Sequence, residues 1–318
     1  MYYLGIDLGG TNIAAGVVDE NYKIIARAER KTKKPCVPGL DQELAEIALE
    51  ALKNANLTLD DIPWIGIGTP GTINHETGIV EFSNNLDLHK YPLRDLLEAR
   101  LNHKKIILEN DANAAAYGEY KAGALKGAAN AIAITLGTGV GSGIILDGKI
   151  YSGFNYAAGE MGHVVIVYNG RHCTCGRNGC WEAYASATGL INQTKEAMQK
   201  TEDHTSPIWK LADGNLDHVT GRTAFDAMRA GDPVGKAVVD QYIAYLGCGI
   251  TNCINIFQPD ILCIGGGICH EGETLLKPLR EYVSHEVYTV HTAKKTAICK
   301  AALGNDAGII GAALLGLM

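Results

Sequence analysis

Two stretches of the chain repeat one another. IDLGGTNIAAGVVDENY, from Ile6, and ITLGTGVGSGIILDGKI, from Ile134, align at a constant spacing that pairs Leu8 with Leu136, Gly9 with Gly137 and Asp19 with Asp147. Each reads as an apolar strand, a glycine turn and a second strand. Duplicated hairpins of this kind predict two related lobes, and a cleft between similar lobes is a natural place for a ligand. The 318 residues, 47% hydrophobic and 20% charged, suffice to bury the cores of both.

Strand and helix patterns alternate along the rest of the chain. Tyr2–Asp7, Ile13–Val18, Tyr22–Glu29, Trp64–Gly68, Ile106–Glu109, Ala131–Leu136, Gly143–Leu146 and Ile261–Ile264 read as strands. Gln42–Asn54, Ala112–Ala122, Gly189–Lys200, Ala224–Arg229, Gly235–Ile256 and Gly308–Leu317 read as helices. The segment Glu202–Arg222 is expected to be a loop-and-helix elaboration. This alternation predicts an α/β fold with mixed sheets.

The totals exclude several functions. Net charge is −7 with no Lys/Arg-rich run, and the densest basic patch, Arg30 to Lys34, reads as a solvated strand end. Nucleic acid is therefore not an expected partner. No apolar run reaches the roughly 18 residues of a membrane span, and the chain enters its first strand without a signal segment. A cytoplasmic protein is expected. In that compartment Cys36, Cys248, Cys253, Cys263, Cys269 and Cys299, scattered among apolar neighbours, are free core thiols.

The glycine turns carry the first chemistry. In Asp7-Leu8-Gly9-Gly10-Thr11-Asn12 the missing Cβ atoms let backbone N–H groups approach an anion, and Thr11 adds a hydroxyl donor. Asp7 beside a phosphate requires an intervening cation or water, which assigns it to the water shell of Mg²⁺. Thr135 to Gly141, with Thr138 and Gly139 at its tip, repeats this equipment. Gly265-Gly266-Gly267 follows a buried strand and offers a backbone platform for a flat ring such as adenine, or a plain strand-to-helix turn. Neither the lysine-containing phosphate loop nor the dinucleotide fingerprint is present.

Two further clusters stand out. Glu109-Asn110-Asp111-Ala112-Asn113 closes a strand and opens a helix, which suits Asp111 either as a general base or, with Asn110, as a helix cap. His163, Cys173, Cys175 and Cys180 are four N/S donors from one short interval, a set that suits tetrahedral Zn²⁺. His172 is the rival fourth ligand, although it would have to fold back on Cys173. A metal there would fix Glu160 and Glu182, which flank it, as rigid acceptors for a polyol.

DLGGTN at Asp7, GTPG at Gly68, ENDAN at Glu109, TLGTGVG at Thr135, EMGH at Glu160 and CTCGRNGCWE at Cys173 occur in that order over most of the chain. Together they resemble the ROK family of sugar kinases and sugar-responsive repressors, most closely its ATP-dependent glucokinase branch. The resemblance implies a two-lobe, actin-like ATPase (ribonuclease H-like) architecture with an interlobe cleft and hinge. It divides the chain into a small lobe, residues 1–117 plus 305–318, and a large lobe, residues 118–304.

By the same resemblance, Asp111 deprotonates the sugar hydroxyl and Asn110 holds the sugar. Gly71, Asn84 or Asn85, Glu160, His163 and Glu182 contact its other oxygens. Asp7, Gly9, Gly10, Thr11, Asn12, Thr138 and Gly139 handle Mg²⁺ and the phosphates of ATP, and Gly265, Gly266 and Gly267 the adenosine. Zn²⁺ falls to His163, Cys173, Cys175 and Cys180. The expected reaction is transfer of the ATP γ-phosphoryl group to a hexose, with glucose the expected substrate and N-acetylmannosamine, N-acetylglucosamine or fructose the alternatives. A repressor is disfavoured by the lack of a helix-turn-helix segment. The family implies a homodimer or homotetramer.

Overall fold

The computed structural model describes Met1–Met318. Its strands are β1 (Tyr3–Leu8), β2 (Asn12–Val18), β3 (Ile24–Lys31), β4 (Ile65–Thr69), β5 (Thr72–Asn74), β6 (Ile79–Ser83), β7 (Leu88–Tyr91), β8 (Ile106–Asn110), β9 (Ala131–Leu136), β10 (Val140–Leu146), β11 (Lys149–Ile150), β12 (Ile261–Gly265) and β13 (Ala297–Lys300). Its helices are α1 (Leu40–Asn54), α2 (Leu93–Arg100), α3 (Asp111–Ala122), α4 (Glu182–Ala185), α5 (Ala187–Gln199), α6 (Pro207–Leu211), α7 (Thr223–Arg229), α8 (Pro233–Phe257), α9 (Glu273–Glu286) and α10 (Ala307–Leu314). The sheets run β3-β2-β1-β4-β8, β11-β10-β9-β12-β13 and β5-β6-β7. Both five-stranded sheets are mixed: β1 is antiparallel to β2 and parallel to β4, while β10 is antiparallel to β11 and β12 parallel to β13. No helix is long and apolar enough to cross a membrane.

The chain forms two compact units, Met1–Ala133 with Ser142–Gly159 and Ala301–Met318, and Ile134–Gly141 with Glu160–Lys300. Within the first unit α3 packs along its length on α10. Backbone meets backbone there: a Cβ on Gly311 would lie 1.7 Å from the Ala114 carbonyl oxygen. On the sheet side, a Cβ on Gly66 of β4 would lie 1.8 Å from the Ala312 oxygen. Only glycine allows α10 to sit this deeply. The opposite side of the sheet is covered by α1, whose Leu44, Ile47, Ala48, Ala51 and Leu52 are buried as their helical spacing predicts.

Several expected boundaries move. β3 starts at Ile24 rather than Tyr22, because Oδ1 of Asp19 accepts from the N–H groups of Asn21 and Lys23 and holds those residues in a turn. α8 starts at Pro233, with Asp232 capping Val234 and Gly235 at 2.8 and 3.0 Å, and ends at a left-handed Gln258 before Pro259. The closing helix stops at Leu314 and tightens to a 3₁₀ turn over Leu315–Leu317. Residues 202–222 contain α6 and a single 3₁₀ turn, and their Ile208, Trp209, Ala212 and Val219 bury against Met198 and Ala227.

Candidate active site and metal centre

In the first unit, the Gly9 N–H donates to the Asn12 carbonyl at 2.9 Å and closes the turn between β1 and β2. Thr32, at the end of β3, fastens the turn from the side: its N–H donates to Thr11 O and its hydroxyl to Gly9 O, at 2.9 and 2.7 Å. Thr11 and Asn12 stay exposed at the tip. Asn85 packs beside Gly10, 3.5 Å from where a Cβ would stand, and this contact separates Asn85 from Asn84. A groove of about 800 Å³ opens at the turn, lined by Asp7, Gly9, Gly10, Thr11, Asn12 and the β3 residues Arg27, Glu29 and Lys31 among others. Arg27 is held by Asp306 at 2.6 Å.

Strand order brings two acids together here. Asp7 of β1 is in register with Gly68 of β4, and Gly68 with Glu109 of β8. Gly68 carries no side chain to separate its neighbours, and a Cβ there would lie 3.5 Å from Asp111 Cα. Asp7 is pushed up to about 6, by burial first and then by the charge of Asp111. Asp111 is itself held above the usual carboxylate range by burial. An acid so tuned carries out proton transfer closer to neutral pH than an exposed aspartate.

Asn110 and Asp111 meet the start of α3 differently. Asn110 is the cap of α3, its Oδ1 accepting from Ala112 and Asn113 N–H at 2.9 and 3.2 Å. Its Nδ2 donates to the Gly71 carbonyl at 3.1 Å. Asp111 follows at the first helical position, where its Oδ1 accepts the N–H of Ala112 at 2.9 Å. Asn110 thus caps the helix, and Asp111 stands beside the cap with its second carboxylate oxygen outside that bond.

Sequence reasoning missed the residue next to these. Glu109 is 3% exposed. Its Oε1 accepts from Asn110 N–H at 2.7 Å and from Asn113 Nδ2 at 3.1 Å, while Oε2 lies 3.2 Å from Nε2 of His75. That last contact has the distance of an ion pair without the alignment of a hydrogen bond. His75 sits in the turn between β5 and β6, and no spacing in the sequence connects it with Glu109.

In the second unit, the ligand atoms of His163, Cys173, Cys175 and Cys180 all lie within 4.8 Å of one another. Cys175 Sγ is 3.6 Å from Cys180 Sγ, and Cys173 Sγ is 3.7 Å from Nδ1 of His163. Zn²⁺ with Zn–S near 2.3 Å spaces tetrahedral ligands by about 3.8 Å, so the donor set and its edges fit zinc. The loop earns this shape from two turns. Gly176 N–H returns to Cys173 O at 2.9 Å, and Cys173 N–H reaches Arg177 O at 2.8 Å. His172 turns its Nδ1 toward Asn178 and stays outside the cluster, which leaves His163 as the imidazole.

This knot is joined to the second glycine turn. Glu182 Oε2 accepts from Val140 N–H at 3.0 Å, and its Oε1 faces Cys173 Sγ at 3.8 Å. Ala187 N–H and Thr188 Oγ1, at the start of α5, donate to Gly137 O and Thr138 O, both at 2.9 Å. Trp181, fully buried, donates from Nε1 to Tyr245 O and seats the knot on α8. Gly266 rests on the end of β9, where a Cβ would be 2.2 Å from Leu136 O, and Gly265 and Gly267 flank it. Glu160 lies exposed just before the 3₁₀ turn Met161–His163.

The paired glycine turns on mixed sheets and the half-buried acid pair belong, with the likenesses that follow, to a phosphotransferase of the two-domain, actin-like ATPase class. The ROK family profile matches residues 3–317, and the chain belongs to the ROK family. It is 39% identical to a glucokinase of Thermotoga maritima over 316 residues, covering 98% of this chain and 95% of that one. A glucokinase of Streptomyces coelicolor is 36% identical over 310 residues, covering 98% and 96%. Among solved structures, a ROK family glucokinase from Streptomyces griseus in complex with glucose and AMPPNP superimposes with a TM-score of 0.83 at 35% identity, covering 99% of each chain.

Proposed function

We propose that the protein is an ATP-dependent hexose kinase that converts glucose to glucose 6-phosphate, with Asp111 as the general base. The observation that carries this reading is the full-length likeness to glucokinases, one of them holding glucose and an ATP analogue, in a chain whose half-buried Asp111 stands at the start of α3 beside the capping Asn110. In the reaction, Asp111 takes the proton of the C6 hydroxyl as that oxygen bonds to the γ-phosphorus. The bond from γ-phosphorus to the bridging oxygen breaks, and ADP leaves.

Gly71, Asn85, Asn110, Glu160, His163 and Glu182 are proposed to bind the sugar. Gly9, Gly10, Thr11, Asn12, Thr138 and Gly139 are proposed to bind the phosphates, and Gly265, Gly266 and Gly267 the adenosine. Asp7 would hold Mg²⁺ through water: a carboxyl raised by burial and by the charge of Asp111 suits a divalent cation, which neutralises phosphate charge when bound. His163, Cys173, Cys175 and Cys180 would hold Zn²⁺ as a structural ion, leaving Nε2 of His163 to face a sugar oxygen.

The test is ADP release with glucose, mannose, fructose, N-acetylglucosamine and N-acetylmannosamine as acceptors. Glucose should give the highest kcat/KM. Preference for an N-acetyl sugar would overturn the substrate, and ADP release at background with every hexose would overturn the activity.

A further inference from the structure

Glu109 is enclosed more completely than either acid of the proposed chemistry, and a buried carboxylate is costly unless its oxygens are matched. Oε1 has two donors, the Asn110 N–H and the Asn113 amide. Oε2 meets His75 at 3.2 Å. The turn that carries the imidazole is held from outside. Arg94 donates from Nη2 to His75 O at 2.7 Å and from Nη1 to Glu76 O at 3.0 Å, pinning the turn. The ring of Tyr156 lies 4.9 Å from the His75 ring, centroid to centroid.

The other end of the contact is the start of α3. Asn110, whose N–H Glu109 holds, caps the helix, and Asp111 is its first residue. Asn113, whose amide Glu109 holds, is 3% exposed one turn further in. From these contacts we propose that His75 is a positioning residue for phosphoryl transfer. It fixes the Glu109 carboxylate, and Glu109 fixes the backbone and helix turn from which Asp111 reaches the hydroxyl. This inference rests on the hexose kinase reading given above. It assigns a role to a residue outside every motif of the sequence.

A base misplaced by about 1 Å loses roughly 100-fold in rate while ground-state contacts survive. His75→Ala should therefore lower kcat roughly 10- to 100-fold, with KM for glucose and ATP within about three-fold of wild type. His75→Gln, which keeps a polar group at similar reach of Glu109, should recover kcat to within about three-fold. Denaturation of His75→Ala, Glu109→Gln and the double variant should show coupling of about five-fold or more in the unfolding constant.

An unchanged kcat in His75→Ala overturns the proposal, as does strict additivity in the cycle. So does a kcat loss that His75→Gln leaves unrepaired and that tracks a general loss of stability. Wild-type protein inert toward all hexoses overturns the kinase reading instead, and the positioning role with it. Active wild type with a fully active His75→Ala removes the positioning role alone.

Discussion

Oε2 of Glu182 accepts a 3.0 Å hydrogen bond from the backbone N–H of Val140, so one carboxylate ties the cysteine knot to the second glycine turn. A Cβ on Gly139 would lie 2.3 Å from that oxygen. Gly139→Ala should therefore displace Glu182 and raise KM for glucose and for ATP together, each by about ten-fold, a loss worth about 1.4 kcal/mol. Steady-state kinetics with either substrate varied checks this. A rise confined to ATP would mean that Glu182 moves without consequence for the sugar.

Asp111→Ala should abolish most turnover, by about 10²- to 10⁴-fold, the range that a positioned general base contributes. Glucose affinity, read by calorimetry, should stay within a few-fold. Turnover near wild type would transfer the role of base to another group.

Asp7 links the acid pair to stability. Its carboxyl stands at about 6 in the folded chain against an ordinary 3.8, so the folded state holds the proton more tightly than the unfolded one. The associated stability is present in full below pH 3.8 and is lost as pH rises through about 6, a change on the order of 3 kcal/mol. Asp7→Asn should consequently stabilise the nucleotide-free protein by up to that amount at pH 8, give no gain at pH 3.5, and impair catalysis. Urea denaturation at the two pH values reads it. A stabilisation equal at both would show that the acid is not the cause.

The knot should carry one zinc per chain by elemental analysis, and Cys175→Ser or prolonged chelation should remove it. Loss of the ion should lower the melting temperature and weaken glucose binding more than ATP binding, because Glu160 and Glu182 flank the ligands. Metal-free protein with intact affinity and stability would leave the cluster as thiols alone.

Gly311→Ala tests the seat of α10. Its new methyl would stand 1.7 Å from the Ala114 oxygen, backbone that has no room to yield. A cost of about 3 kcal/mol, the upper end of ordinary overpacking, is expected in chemical denaturation. Wild-type stability would mean that α3 and α10 separate easily.

The sequence by itself determined what covalent neighbours decide. The hairpins of β1–β2 and β9–β10, the four-donor spacing of the knot, and a helix opening beside Asp111 all follow from residues a few positions apart. Leu275, Leu276, Leu279 and Val283 mark α9 at helical spacing in the same local way. The small sheet β5-β6-β7 was not legible, because strands of three to five residues carry too little alternation and take their register from their turns. Tertiary structure alone decided that the bare Gly68 lets Asp7 and Asp111 share a site, that His75 meets Glu109, that Glu182 closes on Val140, and that Asn85 rather than Asn84 packs beside Gly10. Each joins residues far apart in the chain, and such contacts are selected by strand order and close packing, which no local pattern of residues encodes.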